Sequence, residues 1–232
     1  MLRQRPGRRF VWLGCGLVCG GELLRRATVS FFDEPLRVTR FKLVHALWRR
    51  QRMEVLAGVA PVSLVLARTG NTVVGLTDVR GYPDGFVFLL RVRWGHVADP
   101  FEEVPWAFPG WGSPDPLDGD LFPDELLRFG VQFADGRKVT NMGMYPFVPE
   151  ELPPDQPVLV EGGGEGSEGG RLGRGAMWDL WLAVQPLPPP GRLAFVCAWP
   201  GRGIPEVRVK IDAGLVLAAA AAAVPFFPEA SL

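Results

Sequence analysis

The chain has 232 residues, 47% of them hydrophobic, which is enough for one large domain with a sizeable core. Its formal net charge is zero, yet residues 1–52 hold 12 Lys+Arg against 3 Asp+Glu, leaving 13 against 22 for residues 53–232. An acidic body of this kind argues against nucleic acid as its partner. Three cysteines exclude a disulfide framework and fit a reducing compartment, and two histidines leave a histidine-based triad almost nothing to work with.

Residues 1–52 form a basic N-terminal segment that admits three readings. The first is a mis-assigned start or disordered leader: Arg, Gly and Leu are in excess, and strand patterning begins only at EVLAGVAPVSLVLARTG, directly after Met53. The second is export, suggested by an Arg-rich beginning followed by FVWLGCGLVCGG and by Arg8-Arg9-Phe10. Against it, the apolar core is short and glycine-interrupted, no small-x-small cleavage site follows, and neither Cys15 nor Cys19 sits in a good lipobox. The third is a basic helix over Val38–Met53 with Phe41, Val44, His45 and Trp48 on one face. The first reading is preferred, with the body beginning at Met53. A membrane span is not expected, because it would need about 20 consecutive apolar residues.

From Pro61 the pattern turns to strands. Val62–Ala67 and Thr72–Arg80 are separated by Thr69-Gly70-Asn71, and Tyr82-Pro83-Asp84-Gly85 is a turn leading into Phe86–Trp94. The first half of that third strand is apolar on both faces, so it should be covered on both sides. A long acidic loop follows at 99–125, with six prolines that exclude a central strand or a long helix.

The clearest hairpin is LRFGVQFADGRKVTN, Leu127–Asn141, in which Leu127, Phe129, Val131 and Phe133 alternate with Arg128, Gly130 and Gln132. A two-residue loop would oppose Phe133 to Lys138. A three-residue loop, Ala134-Asp135-Gly136, opposes Val131 to Val139 and puts Gly136 at the left-handed position, so this register is expected. Beyond a proline-rich connector, Pro157–Glu161 reads as a strand and GGGEGSEGGRLGRG, residues 162–175, as a flexible glycine-rich loop. Ala176–Val184, Leu193–Trp199 and Glu206–Ile211 are further strands. Leu193–Trp199 reads as central, and Val207, Val209 and Ile211 face inward. Asp212 is placed to cap a helix from about Ala213 to Val224, favoured by its alanine run and stopped by Pro225.

Eight or nine closely spaced strands define the expected fold class: mainly β, an antiparallel β-sandwich, immunoglobulin-like as one form of it, with one C-terminal α-helix. Residues 53–232 are expected to make a single domain.

Few residues carry a chemical signature. His96 follows a strand without a ligand-spaced partner, and Cys197 sits in an apolar strand as a buried free thiol. The glycine run lacks the Gly-Lys-Ser/Thr ending of a phosphate loop, and the cysteines cannot supply a four-ligand zinc site, so no cofactor or metal is expected. The ligand-binding candidates lie in the acidic loop. Trp106 and Trp111 offer aromatic area for a sugar face, and Asp115, Asp118 and Asp120 offer carboxylates for hydroxyls, although their spacing is not that of an EF-hand.

The hairpin LRFGVQFADGRKVTN, the glycine-rich stretch before Met177-Trp178, and PLPPPGRLAFVCAWPGRGIPE resemble a group of uncharacterised actinobacterial proteins. Pro188-Pro189-Pro190-Gly191 and the Trp199-Pro200…Ile204-Pro205 pattern carry most of the resemblance, which extends over about Val59 to Val224. It implies a cytoplasmic protein starting near Met53 and brings no activity and no site residues. The expected function is therefore a non-enzymatic interaction or binding module with a protein partner. A small-ligand or carbohydrate binder using the acidic tryptophan loop is the alternative, and a hydrolase with a carboxylate pair comes third.

Overall fold

The structure, a computed structural model, describes residues 30–32, 41–43, 54–95, 124, 126–141, 147–149, 156–168 and 176–227. Its strands, in chain order, begin with β1 (Phe41–Leu43), β2 (Val55–Leu56), β3 (Gly58–Val59), β4 (Leu64–Arg68), β5 (Thr72–Tyr82) and β6 (Gly85–Trp94). The next are β7 (Arg128–Gln132), β8 (Lys138–Thr140), β9 (Phe147–Pro149), β10 (Val158–Glu168) and β11 (Ala176–Gln185). The last are β12 (Arg192–Trp199), β13 (Ile204–Asp212) and β14 (Val224–Pro225), and the helix α1 (Gly214–Ala221) lies between β13 and β14.

Among the described residues the fold is mainly β, with multiple antiparallel sheets and one α-helix. A six-stranded sheet has the order β10-β11-β6-β5-β3, with β4 also on β5, and a four-stranded sheet has the order β13-β12-β7-β8. All their pairings are antiparallel. Two-stranded pairs β1-β9 and β14-β2 lie outside them. The two main sheets share one core, which makes the arrangement sandwich-like. Phe88 of the large sheet meets Phe129 and Phe195 of the small one at ring separations of 5.6 and 5.5 Å, and Trp94 meets Trp199 edge-on at 6.0 Å.

The hairpin β7–β8 has the expected three-residue loop. Val131 opposes Val139 and Gln132 opposes Lys138. Phe133 and Arg137 close the loop through a 2.8 Å backbone bond, and Gly136 has φ 91°, a value that glycine reaches without strain. Just beyond β8, the buried Asn141 finishes the ladder with its side chain. Its Nδ2 donates to Leu127 O and its Oδ1 accepts from Phe129 N, both at 2.7 Å, so the end of β7 is satisfied without another strand.

The helix lies directly on the large sheet. A Cβ at Gly58 or Gly81 would run into the backbone of Ala219 or Ala220, so glycines in the strands and alanines in the helix together permit the approach. Its start is a correction to the cap expected at Asp212. Ala213 holds the N-cap position without a side-chain bond, while Asp212 Oδ1 accepts from Gly214 N at 2.9 Å. The helix also ends at Ala221 and not at Val224, because Val224 and Pro225 pair with Leu56 and Val55.

Two other expectations change. Strand β10 continues through Gly162–Glu168, the first half of the stretch read as a glycine-rich loop, because β11 supplies a ladder along its whole length. Glycine's entropic penalty in a strand is a fraction of a kcal/mol to about 1 kcal/mol per residue, small enough for continuous pairing to offset. Phe41–Leu43 is a strand paired with Phe147–Pro149, where one reading had a basic helix; most of that helix, Val38–Met53, falls outside the described residues.

Val131 is fully buried against both sheets. Val131→Asp should abolish cooperative thermal unfolding, since an unpaired carboxylate would be trapped among aromatic rings. A variant melting like wild type would place Val131 outside the core.

Candidate interaction surface

Trp106, Trp111, Asp115, Asp118 and Asp120 lie outside the described residues, as do His45, His96, Cys15 and Cys19. The structure does show where their loop departs and returns. Gly95, closing β6, donates to Asn71 O at 2.7 Å, and Asp124 O accepts from Gly201 N at 2.8 Å. Both points lie at the end of the molecule where Trp94 and Trp199 pack together, with the Arg202 guanidinium 5.8 and 5.6 Å from their ring centres. Trp94, Trp178 and Trp199 are buried in the core, so their area serves packing.

The outer face of the large sheet carries charge at one end. Arg91 binds Asp179 at 2.8 Å and Asp78 at 3.4 Å, while Arg93 approaches the other Asp179 oxygen at 2.5 Å. Asp78 adopts φ 53° within the bulge between Thr77 and Arg80, a left-handed conformation that Asp tolerates better than most residues. The Thr77 hydroxyl holds the Asp78 carboxyl below its usual range against the opposing cost of burial, with Arg91 assisting. Two cations and two carboxylates balance here, which suits an ion-pair network that orders the sheet. Toward the other end, Tyr82, Val87, Val160 and Ala183 form a second apolar cluster with Trp181, whose ring lies 5.0 Å beneath Arg80.

Cys197 is buried and free, as expected, and desolvation pushes its thiol up from 9.0 to about 12. A protonated, enclosed thiol is a poor nucleophile. Its raised pKa favours the folded state below about pH 9, and that contribution is lost as pH rises from 9 toward 12.

The outer face of the small sheet is different in kind. Along β12, Leu193, Phe195 and Cys197 enter the shared core, so Ala194, Val196 and Ala198 face outward; yet these three are buried as well. Part of their cover comes from the N-terminal segment. Phe31 is only 6% exposed and lies over Gly130, which neighbours Val196 in the ladder. A Cβ at 130 would stand 3.0 Å from Phe31 Cζ and still closer to Cε1, so the missing side chain makes the notch.

Charged side chains from both flanks complete the socket. Glu206 Oε2 accepts from Ser30 Oγ at 2.8 Å and from Phe31 N at 3.0 Å. Lys138 Nζ donates to Phe31 O at 2.9 Å and stands 5.2 Å from the ring centre, with the Arg208 guanidinium 5.6 Å from it. Arg208 also donates to Gln132 Oε1 across β12, fixing its direction. Phe32 packs edge-on against Phe31 at 5.0 Å. The arrangement grips a backbone N–H, a backbone C=O, a hydroxyl and an aromatic ring, which are features of a peptide.

Sequence reading missed this socket because Phe31 stands in a segment of unprotein-like composition. Two signals pointed to it: a glycine inside strand β7, where close approach is the usual reason, and a central strand apolar on both faces.

No family model, curated protein or solved structure matches the chain, so the resemblance to uncharacterised actinobacterial proteins adds nothing to these contacts. Among the described residues no helix is long and apolar enough to cross a membrane, and no group of His, Cys, Asp and Glu is placed to hold a metal.

Burying one Phe side chain is worth roughly 1.5–3 kcal/mol. Phe31→Ala should therefore lower the unfolding free energy of the full chain by about 1–3 kcal/mol, read as a lower urea midpoint at unchanged slope. An unchanged midpoint would remove Phe31 from the fold. In a Cys15→Ser, Cys19→Ser chain, Cys197 should stay unreactive toward a disulfide dye at pH 8 until urea unfolds the protein; immediate reaction would contradict its burial.

Proposed function

We propose that this protein is a non-catalytic interaction module and that the outer face of the four-stranded sheet is its recognition surface for an extended peptide. The observation that carries the reading is the docking of Ser30–Phe32, where one sheet face meets backbone, hydroxyl and ring of a segment distant in sequence. The remaining chemistry supports it. Asp78 and Asp179 are engaged by arginines, and the Cys197 thiol is enclosed. Rigid strands hold the socket's side chains at fixed spacing, which lowers the entropic cost of binding.

Panning a random peptide library on immobilised full-length Phe31→Ala protein tests the reading, because this variant exposes the face. Enrichment of a common motif is expected, and it should vanish when Glu206→Ala and Arg208→Ala are added. Equal enrichment with and without those two changes would place recognition elsewhere.

A further inference from the structure

We infer that the ligand of this face is a hydroxyl–phenylalanine dipeptide within a partner protein, and that Ser30-Phe31 is the chain's own resident copy of it, holding the site closed until displaced. The inference rests on the peptide-recognition reading above and goes on to specify the peptide.

The chemistry of each position follows from the contacts. One oxygen, Glu206 Oε2, receives both the Ser30 hydroxyl and the Phe31 N–H. A serine or threonine supplies that pair of donors. Alanine leaves the carboxylate one donor short, an acidic residue brings like charge against it, and proline at the second position removes the N–H. The ring lies between the Lys138 and Arg208 cations, which favours an aromatic over an aliphatic side chain.

The notch also sets the ring's size. Phe31 Cε1 and Cζ are the ring atoms nearest the space a Cβ at 130 would take, so this edge of the ring is the one seated in the notch, and a hydroxyl added on Cζ, as in tyrosine, enlarges the edge that has least room. Lys138 then takes the carbonyl of the same residue, fixing the direction of the peptide. None of these contacts depends on the ligand being part of the same chain.

What favours the resident segment is tethering. Covalent attachment to the same chain makes the segment's binding intramolecular, at an effective concentration that can be on the order of millimolar, so a free peptide competes poorly until the segment is pulled away or the partner adds contacts of its own.

The test uses full-length protein and a fluorescein-labelled peptide with the sequence of residues 28–34, TVSFFDE, followed by anisotropy. Phe31→Ala protein should bind it at least ten-fold more tightly than wild type. Adding Glu206→Ala to Phe31→Ala should lose at least ten-fold. Peptides TVAFFDE, TVSAFDE and TVSYFDE should each bind Phe31→Ala protein at least ten-fold more weakly than the parent. Phe31→Leu, which keeps an apolar plug, should fall between wild type and Phe31→Ala, and it carries the comparison should the alanine variant not fold.

Equal affinity of wild type and both Phe31 variants overturns the resident-ligand assignment, and equal affinity of the serine and alanine peptides overturns the hydroxyl rule. If the library enriches an unrelated motif while TVSFFDE fails to bind, this inference falls and the peptide-recognition reading stands. If neither binds, both fall.

Discussion

Phe88 is the side chain on which the two sheets depend. It leaves β6 in the middle of the large sheet and touches Phe129 and Phe195, which stand on adjacent strands of the small sheet. Three rings at separations of 5.5 to 6.5 Å occupy the space between layers and set how the sheets meet. Aromatic packing of this kind adds about 0.5–1.5 kcal/mol per pair beyond the area it buries. Trp94 and Trp199 repeat the arrangement at one end.

A second constraint follows from the strands that carry these rings. Strand β12 is apolar on the outward face as well as the inward one, and β6 is so over its first half, so neither sheet can present that part bare to water. The large sheet solves this locally: Tyr82, Ala183 and Val160 bury Val87, and Arg80 covers the Trp181 ring. The small sheet instead uses Phe31, a residue far away in sequence. Among the described residues, the Phe31 ring and the hydrogen bonds of Ser30 and Phe31 to Glu206 and Lys138 make that contact. The small sheet thus takes part of its apolar cover from a segment remote in sequence, whereas the large sheet takes it from its own strands.

What the sequence revealed follows the locality of the signal. The β7–β8 hairpin was readable down to its register because alternation, a turn glycine and a one-residue penalty all act within fifteen residues. The inward set of β13 and the central place of β12 were readable for the same reason. Strand β10 was misread because glycine content suggests a loop while pairing is decided by the neighbour β11, which composition does not contain. The helix stopped short because β2, more than 150 residues earlier, claims Val224 and Pro225. Phe31 was hidden by the same non-locality: its partners Gly130, Lys138, Glu206 and Arg208 come from three strands, and only the assembled sheet brings them together.

The charge division between the basic segment and the acidic body takes on a different sense once these contacts are known. A basic arm folded against an acidic body would be expected to use its arginines. The described contacts use Ser30, Phe31 and Phe32, and the cations at the socket, Lys138 and Arg208, belong to the body. In sequence, Phe32 is followed by Asp33-Glu34, so the recognised residues adjoin the only paired carboxylates of an otherwise cationic segment. Net charge governs long-range attraction, which salt screens within roughly 10 Å at 0.1 M. A buried ring with a shared carboxylate and a lysine on its carbonyl acts at contact, where that screening is weak. The docking of Ser30–Phe32 on this face is therefore carried by the few residues that touch it, and the overall balance of charge contributes little to it.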